Sequence, residues 1–198
     1  SDFPMREELT RAVKDMGFES PTPIQQKVIP ILLSQPSDII GLAQTGTGKT
    51  AAFMLPALHL LAAPVKMQGR GPRILVLTPT RELALQVSEA AKKYGKYLPR
   101  IKVVSISGGM PYPLQNRLLS QPVDILVATP GRLIDHLQRG RIDFKRLQMM
   151  VLDEADRMLD MGFIEDVETI AAATPTTRQT LLFSATLDDA IDKVASKL

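Results

Sequence analysis

The sequence predicts an α/β fold with a mostly parallel central sheet and helices on both of its faces. Three observations carry this. Six short apolar runs are spread along the chain, several are near-continuous Val/Ile/Leu without polar alternation, and helix-period segments separate them. Strands buried on both faces read as unbroken apolar runs. Strands that alternate with helices pair in parallel, because each crossover helix returns the chain to the edge it left.

The runs are Asp38–Leu42, Ile74–Thr78, Lys102–Ile106, Asp124–Ala128, Gln148–Leu152 and Gln179–Phe183. Between them the periodicity predicts helices over Arg81–Tyr97, Gly131–Arg139 and Phe163–Ala173. Two helices precede the first run. One covers about Met5–Met16, with Leu9, Val13 and Met16 on one face and Gly17 as its stop. The other opens at Thr22-Pro23, a hydroxyl cap before a proline whose missing N–H is tolerated in the first turn. Lys66–Pro72 is the best loop candidate, and a last helix from Leu187 is expected to reach the chain end at Leu198, which suggests truncation. Residues 1–36 read as N-terminal helices and 37–198 as the core, together one domain.

Composition excludes several chemistries. The 198 residues contain no cysteine, which removes disulfides, cysteine zinc sites and a thiol nucleophile. With 24 basic against 21 acidic residues the net charge is +3, which permits a nucleic-acid partner without arguing for one. The chain opens on polar Ser1-Asp2-Phe3-Pro4 rather than a secretory leader, and its most apolar stretch, Ala51–Val65, carries His59 and two prolines. That stretch is too short to span a bilayer and reads as a buried helix. A cytoplasmic, monomeric domain without membrane contact is expected.

Ala43-Gln44-Thr45-Gly46-Thr47-Gly48-Lys49-Thr50 follows the first strand and opens a helix, and it ends in the Gly-Lys-Thr of a P-loop. Glycines let successive backbone N–H groups turn inward around phosphates. Lys49 supplies a point charge to the β- and γ-phosphates of ATP, and the Thr50 hydroxyl suits Mg²⁺. Thr45, Gly46, Thr47, Gly48, Lys49 and Thr50 are therefore the candidate phosphate site. The bland alternative is a glycine turn with an incidental lysine, which the strand–turn–helix context disfavours.

Met149-Met150-Val151-Leu152 is an apolar strand with Asp153-Glu154-Ala155-Asp156 at its carboxyl end, the edge where open α/β sheets bind ligands. Asp153 is placed to help Thr50 hold Mg²⁺, directly or through water, and Glu154 to orient or deprotonate an attacking water. Asp156 more plausibly fixes neighbouring groups. Alone, such a cluster would read as stabilisation of a helix N-terminus.

The Asp-Glu-Ala-Asp string and the phosphate loop together resemble the DEAD-box RNA helicases, and the resemblance runs the length of the chain. Gly17–Gln25 is similar to that family's Q motif, Pro79–Gln86 to motif Ia, Gly108-Gly109 to its GG pair, Thr129-Pro130-Gly131-Arg132 to motif Ib, and Ser184-Ala185-Thr186 to motif III. The resemblance implies a RecA-like P-loop NTPase domain, the first of two, that binds ATP, Mg²⁺ and RNA. It implies that the Gln25 amide pairs with adenine, and that an upstream aromatic stacks on it; Phe3 sits too close to Gly17 for that role to be assigned. It also implies that a second RecA-like domain supplies an arginine to the γ-phosphate. This chain alone should then be nearly inactive, since such an arginine is worth about 10³–10⁵ in rate.

Motifs Ia, GG and Ib each offer helix N-termini, small residues or an arginine at one sheet edge, which suits sequence-independent phosphate contact. Thr80, Arg81, Gly109, Thr129, Gly131 and Arg132 are the candidate RNA-binding residues. Thr80 and Thr129 read equally as plain helix caps. Ser184 and Thr186 are candidates to hydrogen-bond Asp156 and couple the ATP side to the RNA side, or to cap the helix at Leu187. His59 and His136 read as structural or surface residues, and Tyr94, Tyr97 and Tyr112 as packing.

Three other functions remain open on the residues. A P-loop kinase or DNA-directed helicase would share the phosphate loop. An ATP-gated RNA clamp or ribonucleoprotein-remodelling scaffold that hardly unwinds would share every motif. A nucleotide-binding module with no RNA role fits least.

Overall fold

A computed structural model describes residues 5–16, 23–34, 38–43, 48–63, 69–98 and 100–198. Six strands form one sheet: β1 (Ile39–Leu42), β2 (Ile74–Leu77), β3 (Val103–Ile106), β4 (Ile125–Ala128), β5 (Met149–Leu152) and β6 (Gln179–Ser184). Their order is β1-β6-β5-β2-β4-β3, and every pairing is parallel. All six carboxyl ends therefore share one edge. The strands match the predicted runs to within a residue at each end, because each run is bounded by polar or turn residues that leave the sheet.

Strands β2, β4 and β5 are buried on both faces, whereas β1 leaves Ile40 and Leu42 exposed, and the alternation divides the core in two. Ile74, Val76, Ile125, Val127, Met149, Val151, Leu181 and Phe183 point to one cluster. Leu75, Leu77, Leu126, Ala128, Met150, Leu152 and Leu182 point to the other. Period-two side-chain direction makes that division automatic once the strands are flat in one sheet.

Helices α1 (Glu7–Asp15), α2 (Pro23–Ser34), α3 (Lys49–Leu61) and α4 (Arg81–Tyr94) contribute to the first cluster. Leu9, Val28 and Ile29 are buried there beside the sheet residues, and Val13 and Met16 pack against them. Gly17 and Thr22 lie outside the described residues. Helix α3 is the expected buried helix: Lys49, Ala51–Leu58 and Leu61 are all covered, Pro56 included. Phe53 meets Phe183 with ring centroids 5.7 Å apart in a tilted pair. Gly41 makes room for that ring, since a Cβ there would stand 2.9 Å from Phe183. At its far end α3 is closed by Arg73, whose buried guanidinium donates to the Leu60, Leu61 and Ala63 carbonyls and to Gln148.

Helices α5 (Tyr112–Leu119), α6 (Pro130–Gln138), α7 (Ala155–Asp160), α8 (Ile164–Ala172) and α9 (Asp189–Ser196) complete the chain order. Three expectations shift. Helix α4 ends at Tyr94, not Tyr97, because Gly95 caps it. Helix α9 begins at Asp189, not Leu187: the Asp188 carboxylate accepts from the Ile191 N–H and sets the start. It closes at Ser196, with Lys197 as its cap, before the chain end. Helix α5 was not anticipated, since Pro111 and Pro113 mask an eight-residue helix that a proline near the first turn in fact permits.

Candidate functional site

The carboxyl edge of the sheet gathers the predicted residues. Lys49 opens α3 just beyond β1, Asp153 and Glu154 end β5, and Ser184 closes β6, which lies between those two strands. The Lys49 ammonium sits 2.7 Å from Asp153 Oδ1 and 3.7 Å from Glu154 Oε2. Lys49 and Asp153 are 6% and 2% exposed, so the pair is desolvated and not a surface contact.

Burial pushes the Asp153 carboxyl above its ordinary value, with Lys49 opposing the shift and Glu154 adding to it. The Lys49 ammonium engages Asp153 Oδ1, while Glu154 Oε2 is a buried oxygen with no hydrogen bond among the described residues. Two buried acidic oxygens beside a hydroxyl-bearing helix start suit a hard divalent cation, which takes oxygen ligands and keeps waters of its own. Thr50 is the second residue of α3 and half-buried. Thr45, Gly46 and Thr47 lie outside the described residues. Gly48 is described, with φ +79, a left-handed conformation that glycine adopts without strain.

Glu154 also has a positive φ, +60, without being glycine. Left-handed backbone at a side-chain-bearing residue costs about 1–2 kcal/mol and gathers where function requires it. The bend separates β5 from α7 and sets the Glu154 carboxylate near Lys49, with Arg157 3.8 Å from its other oxygen. Gln25, on α2, donates to the Gly48 carbonyl at 3.1 Å, so its amide stands against the last residue of the phosphate loop.

The three suspected phosphate stations share this edge. Thr80 caps α4: its hydroxyl accepts from the Leu83 N–H at 3.2 Å and retains its own proton to donate. Thr129 stands at the cap position of α6 but makes no side-chain cap bond, so its hydroxyl is not spent that way. Gly131 is exposed, and a Cβ there would meet nothing within 4 Å. Packing therefore gives no reason for glycine at that position.

The stations also touch one another, which no spacing argument reveals. Gly109 has φ +88, and a Cβ there would stand 2.9 Å from an Arg81 terminal nitrogen. Arg132 donates through Nη1 to the Met110 carbonyl at 2.9 Å and to Gln115 Oε1 at 3.1 Å, and its guanidinium lies 4.2 Å from the Tyr112 ring centre. Gln115 and the Met110 carbonyl escaped the sequence reading, because they belong to the unanticipated α5 and the turn before it. His136 is fully buried, a structural residue as expected.

The coupling hydrogen bonds expected of Ser184 and Thr186 are not made in this structure. Ser184 Oγ accepts from the Thr186 N–H at 3.3 Å, and among the described residues neither hydroxyl bonds Asp156. Asp156 lies in the first turn of α7, half-buried. The alternative of a capping pair also fails, since Asp188 caps the next helix.

Residues 22–194 match the model of the DEAD/DEAH box helicase family. The chain belongs to that family. Among curated DEAD-box relatives, the ATP-dependent RNA helicase DeaD of Escherichia coli is 50% identical over 197 residues, which is 100% of this chain and 30% of the relative. DeaD of Mycobacterium tuberculosis is 49% identical over the whole chain and 34% of the relative. The chain thus spans about a third of the curated relatives it matches. Among solved structures, a DEAD box protein from Methanococcus jannaschii superposes with a TM-score of 0.89 at 40% identity, over 99% of this chain and 52% of that one. A hypothetical ATP-dependent RNA helicase from Sulfolobus tokodaii gives 0.86 at 41% identity, over 97% and 54%. The fold is the RecA-like architecture that the resemblance implied, with the Asp153–Asp156 string at the carboxyl edge of the sheet.

Proposed function

We propose that this chain is the first RecA-like domain of an ATP-dependent RNA helicase, and that it binds Mg²⁺-ATP and the backbone of one RNA strand along a single sheet edge. The observation that carries this is the buried convergence of Lys49, Asp153 and Glu154, with the RNA stations on the same edge. Lys49 meets the β- and γ-phosphates, the backbone of Thr45–Gly48 cradles them, and Gln25 faces the adenine. Thr50 and Asp153, in part through water, would hold Mg²⁺, which neutralises phosphate charge when bound. Glu154 orients the water that attacks the γ-phosphorus and accepts its proton. ATP is spent as substrate.

Thr80, Arg81, Gly109, Thr129, Gly131 and Arg132 bind phosphates and ribose, with no base read. Replacing one of the two arginines with a neutral side chain should flatten the dependence of log affinity on log salt by about 0.7 for a single strand. A second RecA-like domain in the full-length protein closes over both ligands and supplies the missing arginine. Asp156, Ser184 and Thr186 form the route by which occupancy of one site is felt at the other, through hydrogen bonds made on closure. We further propose a cytoplasmic protein, monomeric as this domain; among the described residues no helix is long and apolar enough to cross a membrane.

The test is ATP hydrolysis by the full-length protein with and without single-stranded RNA, alongside Lys49→Ala. RNA-stimulated turnover that Lys49→Ala abolishes supports the reading. Turnover indifferent to RNA overturns it, and robust RNA-stimulated turnover by these 198 residues alone overturns the two-domain part.

A further inference from the structure

Beneath Arg132 lies a buried polar network outside the family motifs. Its centre is Gln115, on α5 and fully covered. The amide nitrogen donates to the Ser107 carbonyl at 3.0 Å, in the turn that leads to Gly108-Gly109. The amide oxygen receives two groups, Arg132 Nη1 at 3.1 Å and His136 Nε2 at 2.7 Å. Arginine only donates, so the atom facing it must be the amide oxygen. That oxygen then requires the His136 proton on Nε2, which leaves Nδ1 to accept from Arg141 Nη1 at 3.3 Å. Every bond is consistent with one orientation of Gln115 and one histidine tautomer.

The network joins two RNA stations that are distant in sequence. Gln115 grips the turn at Ser107, Arg132 grips the same turn at the Met110 carbonyl, and the guanidinium lies over Tyr112. One guanidinium nitrogen is thereby consumed. Among the described residues Arg132 Nε and Nη2 have no partner, and Arg132 has no acidic neighbour in ion-pair reach. An arginine on a mobile stem must give up its rotamer freedom when it meets a phosphate, whereas this one has lost it already.

We propose that Gln115 is a positioning residue for RNA binding, which locks Arg132 and the Ser107–Met110 turn into one rigid unit presenting its remaining donors to adjacent phosphates of a single strand. The proposal rests on the RNA-contact reading of Arg132 given above. Gln115 itself touches no RNA. It acts through the two donors its oxygen holds and the carbonyl its nitrogen ties down.

The experiment is a double-mutant cycle in the protein at its natural length, with Gln115→Met, Arg132→Met and the double variant. It reads fluorescently labelled single-stranded RNA affinity, Mg²⁺-ATP affinity and Tm. Gln115→Met alone should weaken RNA binding about tenfold, the scale of a missing hydrogen bond to a charged group, with ATP affinity unchanged. In the Arg132→Met background it should weaken RNA binding no further, although it still lowers Tm. A purely structural glutamine would give equal losses in both backgrounds, and that additivity overturns the proposal, as does unchanged RNA affinity in Gln115→Met. If Arg132→Met leaves RNA affinity intact, the contact reading itself fails and the positioning role falls with it. Gln115→Glu covers the case in which Gln115→Met does not fold, because it keeps oxygens in front of Arg132 and His136. It should bind RNA more tightly than Arg132→Met does; equal weakness overturns the proposal.

Discussion

Lys49 Nζ and Asp153 Oδ1 lie 2.7 Å apart with both side chains almost wholly excluded from solvent. One comes from the start of a helix after β1 and the other from the end of β5, two strands away across β6. Neither charge is stable there alone. Breaking such a pair from one side costs about 3–5 kcal/mol, whereas replacing both partners with neutral groups is often neutral. Lys49→Met and Asp153→Asn are each expected to lower Tm, and the double variant to recover most of the loss. Thermal unfolding of the three variants without ligand tests this; a double variant no more stable than the singles would show that the pair is not what couples them.

Glu154 combines a reactive carboxylate with a left-handed backbone. Glu154→Gln keeps the shape and removes the base, so ATP should still bind while RNA-stimulated turnover falls by about 10²–10⁴. Glu154→Gly removes the Cβ that makes this conformation unfavourable and should raise stability by up to about 1 kcal/mol, with activity equally lost. Denaturant midpoints and steady-state turnover separate the two effects. An active Glu154→Gln variant would remove the acid from the hydrolytic step.

Gly109→Ala meets two obstacles at once, a φ of +88 and an Arg81 nitrogen 2.9 Å from the added carbon. The chain should lose about 1–2 kcal/mol of stability. RNA affinity should fall more than ATP affinity, because Arg81 is displaced with the turn. Gly131→Ala is the contrast: its Cβ would meet open space, so stability should hold while RNA binding suffers. Chemical denaturation and RNA titration on both variants give the comparison. Stable, RNA-competent Gly131→Ala would show that no strand passes close to that backbone.

Both histidines should make stability fall in mild acid. Burial, then Arg141, holds the His136 imidazole below its ordinary value, and burial, then Arg6, does the same for His59. The unfolded chain then takes up protons near pH 6.5 that the folded chain refuses, so the stabilising contribution is present above about that pH and is lost as pH falls toward the lower folded values. Replacing His136 with Gln should flatten the stability profile below about pH 6.5, and His59→Gln should flatten it further. Urea unfolding across that range reads the slope; an unchanged slope in both variants would assign the acid sensitivity to carboxylates.

Much of the molecule was legible one residue at a time. Continuous apolar runs such as Ile74–Leu77 declare a doubly buried strand, because no other placement hides every side chain. The phosphate loop and the Asp153-Glu154 pair are contiguous strings whose chemistry is local, and their strand-end positions follow from the parallel sheet. The boundaries of α4 and α9 were misjudged, because whether Gly95 or Asp188 ends or starts a helix depends on which carbonyls and N–H groups the neighbouring turn leaves available. Helix α5 was missed because its amphipathic signal is short and broken by prolines.

By itself the sequence determined the α/β class, the six strands, the phosphate-binding and acidic strings, and the family that their order resembles. Only the tertiary structure decided that Lys49 pairs with Asp153, that Gly109 packs under Arg81, and that Gln115 ties Arg132 to the turn at Ser107. The physical reason is range. Helix and strand periodicity are properties of adjacent residues. A buried hydrogen bond or ion pair between side chains 17 or more positions apart exists only when the strand order and the burial of both partners are set together.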